Sequence, residues 1–290
     1  MNDLLAIENL RLSYPTRGFW RSDAEVLKGV SLHIAPGETL GLVGESGSGK
    51  TTLGRAILGL ASPSAGSITL DGRNITHLRS RDRRRLANLV QVVFQDPYTS
   101  LNPALQIADI LSEPLIAQGI DGKSARGSVA ALLDRVGLPS DAGRRYPREF
   151  SGGQRQRIAI ARALALTPRL IICDEPVSSL DLTTQARVLE LLMDIQRASG
   201  CAYLFITHDL SVVRHISHRV AVMYRGEVVE TGKTQMVTTQ PSHDYTRRLL
   251  LAVPTADPDR QAERRKMRRE FLDRANAQAR DSGASASRVA

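Results

Sequence analysis

The segment ETLGLVGESGSGKTTLGRAILGL, residues 38 to 60, limits the possible folds more than any other stretch of the chain. An apolar run leads into Gly44, Glu45, Ser46, Gly47, Ser48, Gly49, Lys50 and Thr51, and a periodic apolar pattern opens at Thr51 and Thr52. The spacing is GxxxxGK[ST] between a strand and a helix, where glycines let successive backbone N–H groups turn inward on phosphate oxygens. A helix beginning near Lys50 adds its positive end to that site. In such a loop the lysine reaches the β- and γ-phosphates of a nucleoside triphosphate and the threonine hydroxyl ligates Mg2+. A strand, a glycine turn and a helix in this order point to an α/β sheet.

The rest of the chain bears the same alternation. Short β-like runs occupy residues 4–14, 26–34, 38–44, 66–72 and 89–95, and strand signals return at 170–176, 201–207 and 219–232. Helical periodicity marks 51–60 and TQARVLELLMDIQRAS. Between Pro97 and about Ala165 the pattern is mainly helical, with IADILSEPLIAQG and ARGSVAALLDRVG as two helices of an inserted subdomain. The expected architecture is a sheet covered by helices, with an N-terminal antiparallel β piece and a helical subdomain at about 97–165. One nucleotide-binding domain over residues 1–254 and a basic extension with a frayed tail over 255–290 complete the division.

A triphosphate site also needs a carboxylate for the metal and a group to activate water. LIICDEP delivers Asp174 and Glu175 to the end of a buried strand, where Asp174 can hold Mg2+ and Glu175 can polarise the attacking water before Pro176 stops the strand. On its own such a pair is as readily a turn or a helix cap. Gln95 closes the strand LVQVVFQ just before the helical insertion, so its amide can touch metal or water while its backbone joins the subdomains. His208 follows the strand end LFIT and can bond the γ-phosphate, or simply neighbour a helix cap at Asp209. Tyr14 is either an adenine stacker or an ordinary β-surface aromatic, with Phe19 and Trp20 as rivals.

A second glycine turn stands a hundred residues on, in FSGGQRQRIAIARAL. Ser151, Gly152, Gly153 and Gln154 precede another helix, yet no lysine of the GKT type and no strand accompany them. The turn is therefore half a phosphate site, and two chains set head to tail would let it complete the pocket around another chain's Lys50.

Charge excludes little. The formal +9 suits nucleic acid, an anionic membrane face, an acidic partner or a plain basic surface. The segment 260–270 reads as a surface helix, since its arginines alternate with acids and lack aromatic stacking partners. No apolar run approaches the ~20 residues of a membrane span, and Cys173 and Cys201 sit in apolar segments without CxxC spacing. Buried thiols in the reducing cytoplasm are the expectation.

The phosphate loop, the glutamine of VVFQDP, FSGGQ, LIICDEP, SSLD ending at Asp181 and the TH at His208 occur in the order and spacing of the ATP-binding cassette family, which the chain resembles from about Leu4 to Gly232. The resemblance implies a P-loop NTPase core, Mg2+-dependent ATP hydrolysis, and a role for Asp181 in coupling two pockets across a dimer. QDPYTSLNP and PSHDYTRRLLLAVP, residues 241–254, are further similar to the subfamily that powers uptake of dipeptides and oligopeptides, and sometimes nickel or glutathione. In that subfamily the partners are a second cassette, two transmembrane permease subunits and an extracytoplasmic solute-binding protein, with the ATPase on the cytoplasmic face of the inner membrane. The match is to the second cassette of the usual pair, which favours a partner of different sequence over an identical copy. Many members bind an iron–sulfur cluster through cysteines near the C-terminal motif; none follows Cys201 here, so no cluster is expected. A nucleic-acid-associated cassette suits the charge but lacks the coiled coils or the doubled cassette of those types, so no nucleic-acid partner is expected.

Overall fold

The computed structural model describes residues 3–15 and 23–252. Phe19, Trp20, the segment 260–270 and the tail lie outside the described residues.

The chain begins with β1 (Leu5–Pro15) and β2 (Asp23–Ile34), crosses into β3 (Thr39–Val43), and passes through the glycine turn into α1 (Lys50–Ile57). β4 (Ala65–Leu70) and β5 (Arg73–Asn74) come next, then α2 (Ser80–Leu86) and β6 (Val90–Val93). The helical part comprises α3 (Pro97–Ser100), α4 (Ile107–Ala117), α5 (Gly122–Gly127), α6 (Val129–Arg135) and α7 (Gly152–Leu164). β7 (Leu170–Asp174), α8 (Leu182–Ser199), β8 (Ala202–Thr207), α9 (Leu210–Ile216), β9 (Arg219–Tyr224), β10 (Glu227–Lys233), α10 (Thr234–Thr239) and α11 (Asp244–Ala252) complete the order.

Two sheets result. The first is antiparallel in the order β2-β1-β4-β5; the second has six strands in the order β10-β9-β3-β8-β7-β6, parallel from β9 through β6 with β10 paired antiparallel to β9. The central strands read as unbroken apolar runs because both their faces are covered. In β7, Leu170 and Ile172 join the core shared with the antiparallel sheet, while Ile171 and Cys173 join the core beneath the helical part. Tyr203 and Phe205 of β8 face the helical side and Leu204 and Ile206 the other. The period of two divides the side chains between the two cores, and parallel pairing of β8 with β3 and β7 places the carboxyl ends of all three along one edge.

Several boundaries differ from expectation for identifiable reasons. The strand expected to run to Gln95 ends at Val93, and Phe94, whose apolar character extended the run, is 40% exposed; Gln95 lies exposed in a bend. The strand expected through Pro176 ends at Asp174, because Glu175 turns into the left-handed region at φ 49°. The segment 219–232 is a hairpin, β9 and β10, turning at Arg225 and Gly226 with φ 49° and 90°, the double positive φ of a tight two-residue connection. The helix expected over 125–137 is divided into α5 and α6 at Ser128. Cys173 and Cys201 are free and buried, and burial pushes both thiols up, Cys201 to about 12.

Candidate active site

β3 is buried throughout and pairs in parallel with β8 on one side and β9 on the other, so the glycine turn leaves the middle of the sheet at its carboxyl edge, the common ligand position in open α/β sheets. Two of its glycines are required by close approach. A Cβ on Gly44 would stand 2.1 Å from the Met223 carbonyl oxygen, and one on Gly49, at φ 107°, 2.8 Å from Met223 Cε and 3.1 Å from the Val26 carbonyl oxygen. Gly47 faces open space. The turn is held from outside as well, since the Gly226 N–H donates to the Ser48 carbonyl at 3.0 Å.

Lys50 opens α1 and curls back into its own loop. Its Nζ donates to the Gly44 carbonyl at 2.7 Å and the Glu45 carbonyl at 2.8 Å, and the residue is 6% exposed. Burial lowers its pKa, against the opposing pull of Glu175, Asp174 and Glu45. Beside it the Thr51 hydroxyl donates to Asp174 Oδ1 at 3.2 Å. Burial raises the Asp174 pKa, and the neighbouring Glu175 adds to the rise, while the Thr51 bond, Arg55 and Lys50 act in the other direction.

Glu175 comes next, with the strained backbone noted above. Its N–H donates to the Ile206 carbonyl at 2.9 Å, and its carbonyl accepts the Ser178 N–H and hydroxyl. Neighbouring β8 thus places the Glu175 backbone, and the side chain meets His208, whose Nδ1 lies 3.1 Å from Glu175 Oε1. His208 is joined to α9 through Asp209, which caps that helix by accepting from Ser211 N at 2.7 Å. A non-glycine residue with positive φ at the end of a central strand is the kind of strain found at functional sites.

These residues suit a nucleoside triphosphate with Mg2+. The loop offers a cradle closed to any Cβ at Gly44 and Gly49, a buried ammonium bonded among the described residues to neutral oxygens, and a hydroxyl and carboxylate of the hard-oxygen type that Mg2+ takes. Among the expected site residues, Lys50, Thr51, Asp174, Glu175 and His208 come together. Gln95 and Tyr14 take no part in the bonds that join them: Gln95 stands beyond β6, and Tyr14, 39% exposed, lies on β1 opposite Ala24.

The second turn is built differently. Ser151 is the N-cap of α7, Gly152 and Gly153 form its first turn, and Gln154 completes a capping box: Gln154 N donates to Ser151 Oγ at 3.3 Å and Ser151 N to Gln154 Oε1 at 3.0 Å. Phe150 before it is buried, with the Arg145 guanidinium 4.4 Å over its ring. Asp181 caps α8 in the same manner, accepting from Thr184 N at 3.0 Å and Thr184 Oγ1 at 2.7 Å, bonds that hold its carboxyl below the usual range. The two caps touch, because a Cβ on Gly153 would stand 2.2 Å from Thr184 Cγ2.

Two side chains at these turns are not marked as site residues by the sequence. Thr184 is an ordinary helix residue by pattern, and Tyr245, within the C-terminal motif, accepts the Glu45 N–H on its hydroxyl at 2.9 Å from 200 positions away.

The family profile described as ABC transporter matches residues 27–178. The glutathione import ATP-binding protein GsiA of Escherichia coli (strain K12) is 49% identical over 267 residues, covering 90% of this chain and 43% of the relative. The oligopeptide transport ATP-binding protein OppD of Mycobacterium tuberculosis (strain ATCC 25618 / H37Rv) is 52% identical over 238 residues, covering 82% of this chain and 39% of the relative. The chain thus spans about two-fifths of the length of the curated relatives it matches. Among solved structures, the ATP-binding cassette MJ0796, a dimer in a post-hydrolysis state bound to ADP and Pi, superposes with a TM-score of 0.70 at 30% identity, covering 79% of this chain and 98% of that one.

Proposed function

This chain belongs to the ABC transporter family, and on that premise we propose that it is an ATP-hydrolysing cassette, the nucleotide-binding subunit powering an inner-membrane importer of dipeptides or oligopeptides. The observation that carries the enzymatic half is the convergence of Lys50, Thr51, Asp174, Glu175 and His208 at adjoining strand ends. The cargo half is supported by the likeness to the oligopeptide transport protein and by the motifs at 95–103 and 241–254. The likeness to a glutathione import protein favours glutathione as a second reading.

When bound, Mg2+ and ATP supply an electrophilic phosphorus whose oxygens are charge-neutralised. The chain's own residues do the rest. Lys50 exchanges its two loop carbonyls for phosphate oxygens; Thr51 and Asp174, with Gln95, would hold the metal; Glu175 orients and polarises the attacking water; His208, whose Nδ1 lies 3.1 Å from Glu175 Oε1, bonds the γ-phosphate and holds that carboxylate. Tyr14 stacks on adenine.

The partner is a second cassette, of different sequence or an identical copy. Ser151, Gly152, Gly153 and Gln154 complete its pocket, and Asp181 couples the two sites. The dimeric arrangement of the MJ0796 cassette supports this assembly. The helical part, 97–165, passes dimer closure to two permease subunits on the cytoplasmic face, fed by an extracytoplasmic binding protein.

Proteoliposomes carrying the chain with the permease and solute-binding proteins that co-purify with it test the proposal. ATP-dependent accumulation of labelled di- or oligopeptide is the expected result. Accumulation of glutathione alone would favour the second reading, and no ATP-dependent uptake of either would overturn both.

A further inference from the structure

The C-terminal motif is pinned to the body at one end and to the phosphate loop at the other. Glu230 of β10 accepts from Ser242 N at 2.7 Å, Ser242 Oγ at 2.9 Å and His243 N at 3.1 Å, and His243 Nδ1 accepts from Tyr245 N at 3.1 Å. These bonds set the entry of α11. They bring the Tyr245 ring, 2% exposed, against Tyr224 at a centroid distance of 4.1 Å. Tyr224 ends β9, and the Met223 carbonyl before it is the group that abuts Gly44. The start of the phosphate loop is thus enclosed by β9 and α11.

Stacking would be satisfied by a phenyl ring. The hydroxyl does something more specific: it accepts the Glu45 N–H at 2.9 Å. That N–H belongs to the Gly44–Glu45 peptide, whose carbonyl accepts Lys50 Nζ at 2.7 Å. One peptide plane is thus held at both ends, by the Tyr245 hydroxyl and by Lys50. The Glu45 carbonyl also holds Lys50, at 2.8 Å. The orientation of residues 44 and 45 therefore sets where the lysine waits.

We propose that Tyr245 is a positioning residue for nucleotide: by fixing the Gly44–Glu45 peptide it pre-organises the phosphate loop and Lys50, and it makes docking of α11 and nucleotide occupancy mutually dependent. The inference rests on the ATPase reading above. Coupling of this kind is reciprocal, so whatever α11 contributes to nucleotide affinity, nucleotide returns as protection of α11.

The test uses the full chain with Tyr245→Phe, which keeps the ring and its stack and removes only the acceptor. Loss of one pre-organising hydrogen bond should weaken binding of a fluorescent ATP analogue roughly 3- to 10-fold and raise KM for ATP in step, with kcat near the parental value. Hydrogen exchange supplies a readout that needs no variant: Mg-ATP should slow the amides of residues 244–252 in the parental chain, and the slowing should shrink in Y245F. Glu230→Gln, which loosens the segment from the side away from the loop, should move KM in the same direction. A folded Y245F with parental or tighter nucleotide binding, or amides of 244–252 indifferent to Mg-ATP in the parental chain, would overturn the proposal. Failure of the parental chain itself to bind ATP would overturn the ATPase reading and this inference together, and so is distinguishable from either result.

Discussion

The two glycine turns of this protein do opposite things with the same local chemistry. The turn at 44–51 is filled by its own chain: Lys50 lies buried over two loop carbonyls, with Asp174, Glu175 and His208 arrayed beside it. The turn at 151–153 exposes Ser151 but buries Gly153, is capped by its own serine and glutamine, and packs at Gly153 against Thr184, which Asp181 holds. In the first, glycine is needed to admit a β9 carbonyl and to leave backbone N–H groups free for phosphate. In the second, Gly153 is needed to let α7 lie against α8. Glycine in a phosphate-binding motif can thus answer to packing as much as to ligand.

The largest expected effect lies at the first turn. Glu175→Gln should reduce turnover by about 100-fold while ATP still binds, since general-base help and positioning are of that size. Parental hydrolysis by an assembled E175Q complex would remove the chemistry assigned to that side of the comparison.

The next lies at the second turn. Gly153→Ala puts a Cβ where Thr184 Cγ2 leaves 2.2 Å, and overpacking of this kind costs roughly 1–3 kcal/mol, a fall of several degrees in melting temperature. Thr184→Ser deletes that methyl while keeping the hydroxyl that donates to Asp181, so the double variant should recover most of the loss. Failure of this rescue in a thermal-melt series would mean that Gly153 serves something other than the contact between α7 and α8.

The smallest effect is electrostatic and belongs to the first turn alone. The Asp174 pKa is raised, chiefly by burial, above the ordinary ~3.9. Between the unfolded and the folded pKa the folded state holds more protons than the unfolded one. The stability cost of ionising Asp174 is therefore absent below the unfolded pKa and fully present once pH exceeds the folded pKa. Asp174→Asn should raise the melting temperature of the nucleotide-free protein at neutral pH, with the gain fading as pH falls towards 4. A gain that persists unchanged to acid pH would show that charge burial is not its cause.

Much of this is legible in the sequence alone. β3, β7 and β8 announce themselves because strands covered on both faces are apolar without interruption, and GKT specifies the phosphate turn and helix after β3. The expected cluster of Lys50, Thr51, Asp174, Glu175 and His208 is adjacent because its members sit at the ends of such strands. Other features left no trace. The positive φ of Glu175 is imposed by neighbouring β8 through the Ile206 carbonyl, not by its own residue type. α2, SRDRRRL, has no apolar stripe to reveal it. β6 stops two residues early because Phe94, apolar by type, faces solvent. Tyr245 reaches Glu45 only through the stacking of α11 on β9, a tertiary fact across 200 positions.

In the identical-copy form of the dimer the turn at 151–153 completes the pocket of the other copy, and this is tested by mixing two differently tagged copies of this chain in a Glu175→Gln background and counting nucleotides occluded per purified two-tag dimer; absence of any two-tag dimer points instead to a partner of different sequence. Ser151 is exposed, so Ser151→Phe blocks the turn without filling the chain's own core. With Lys50→Ala on one copy and Ser151→Phe on the other, both lesions fall in one composite pocket, and one nucleotide should be retained. With both on the same copy each pocket carries a lesion, and none should be retained. One nucleotide for the same-copy arrangement and none for the split one would show that the turn serves its own chain, and would contradict the account.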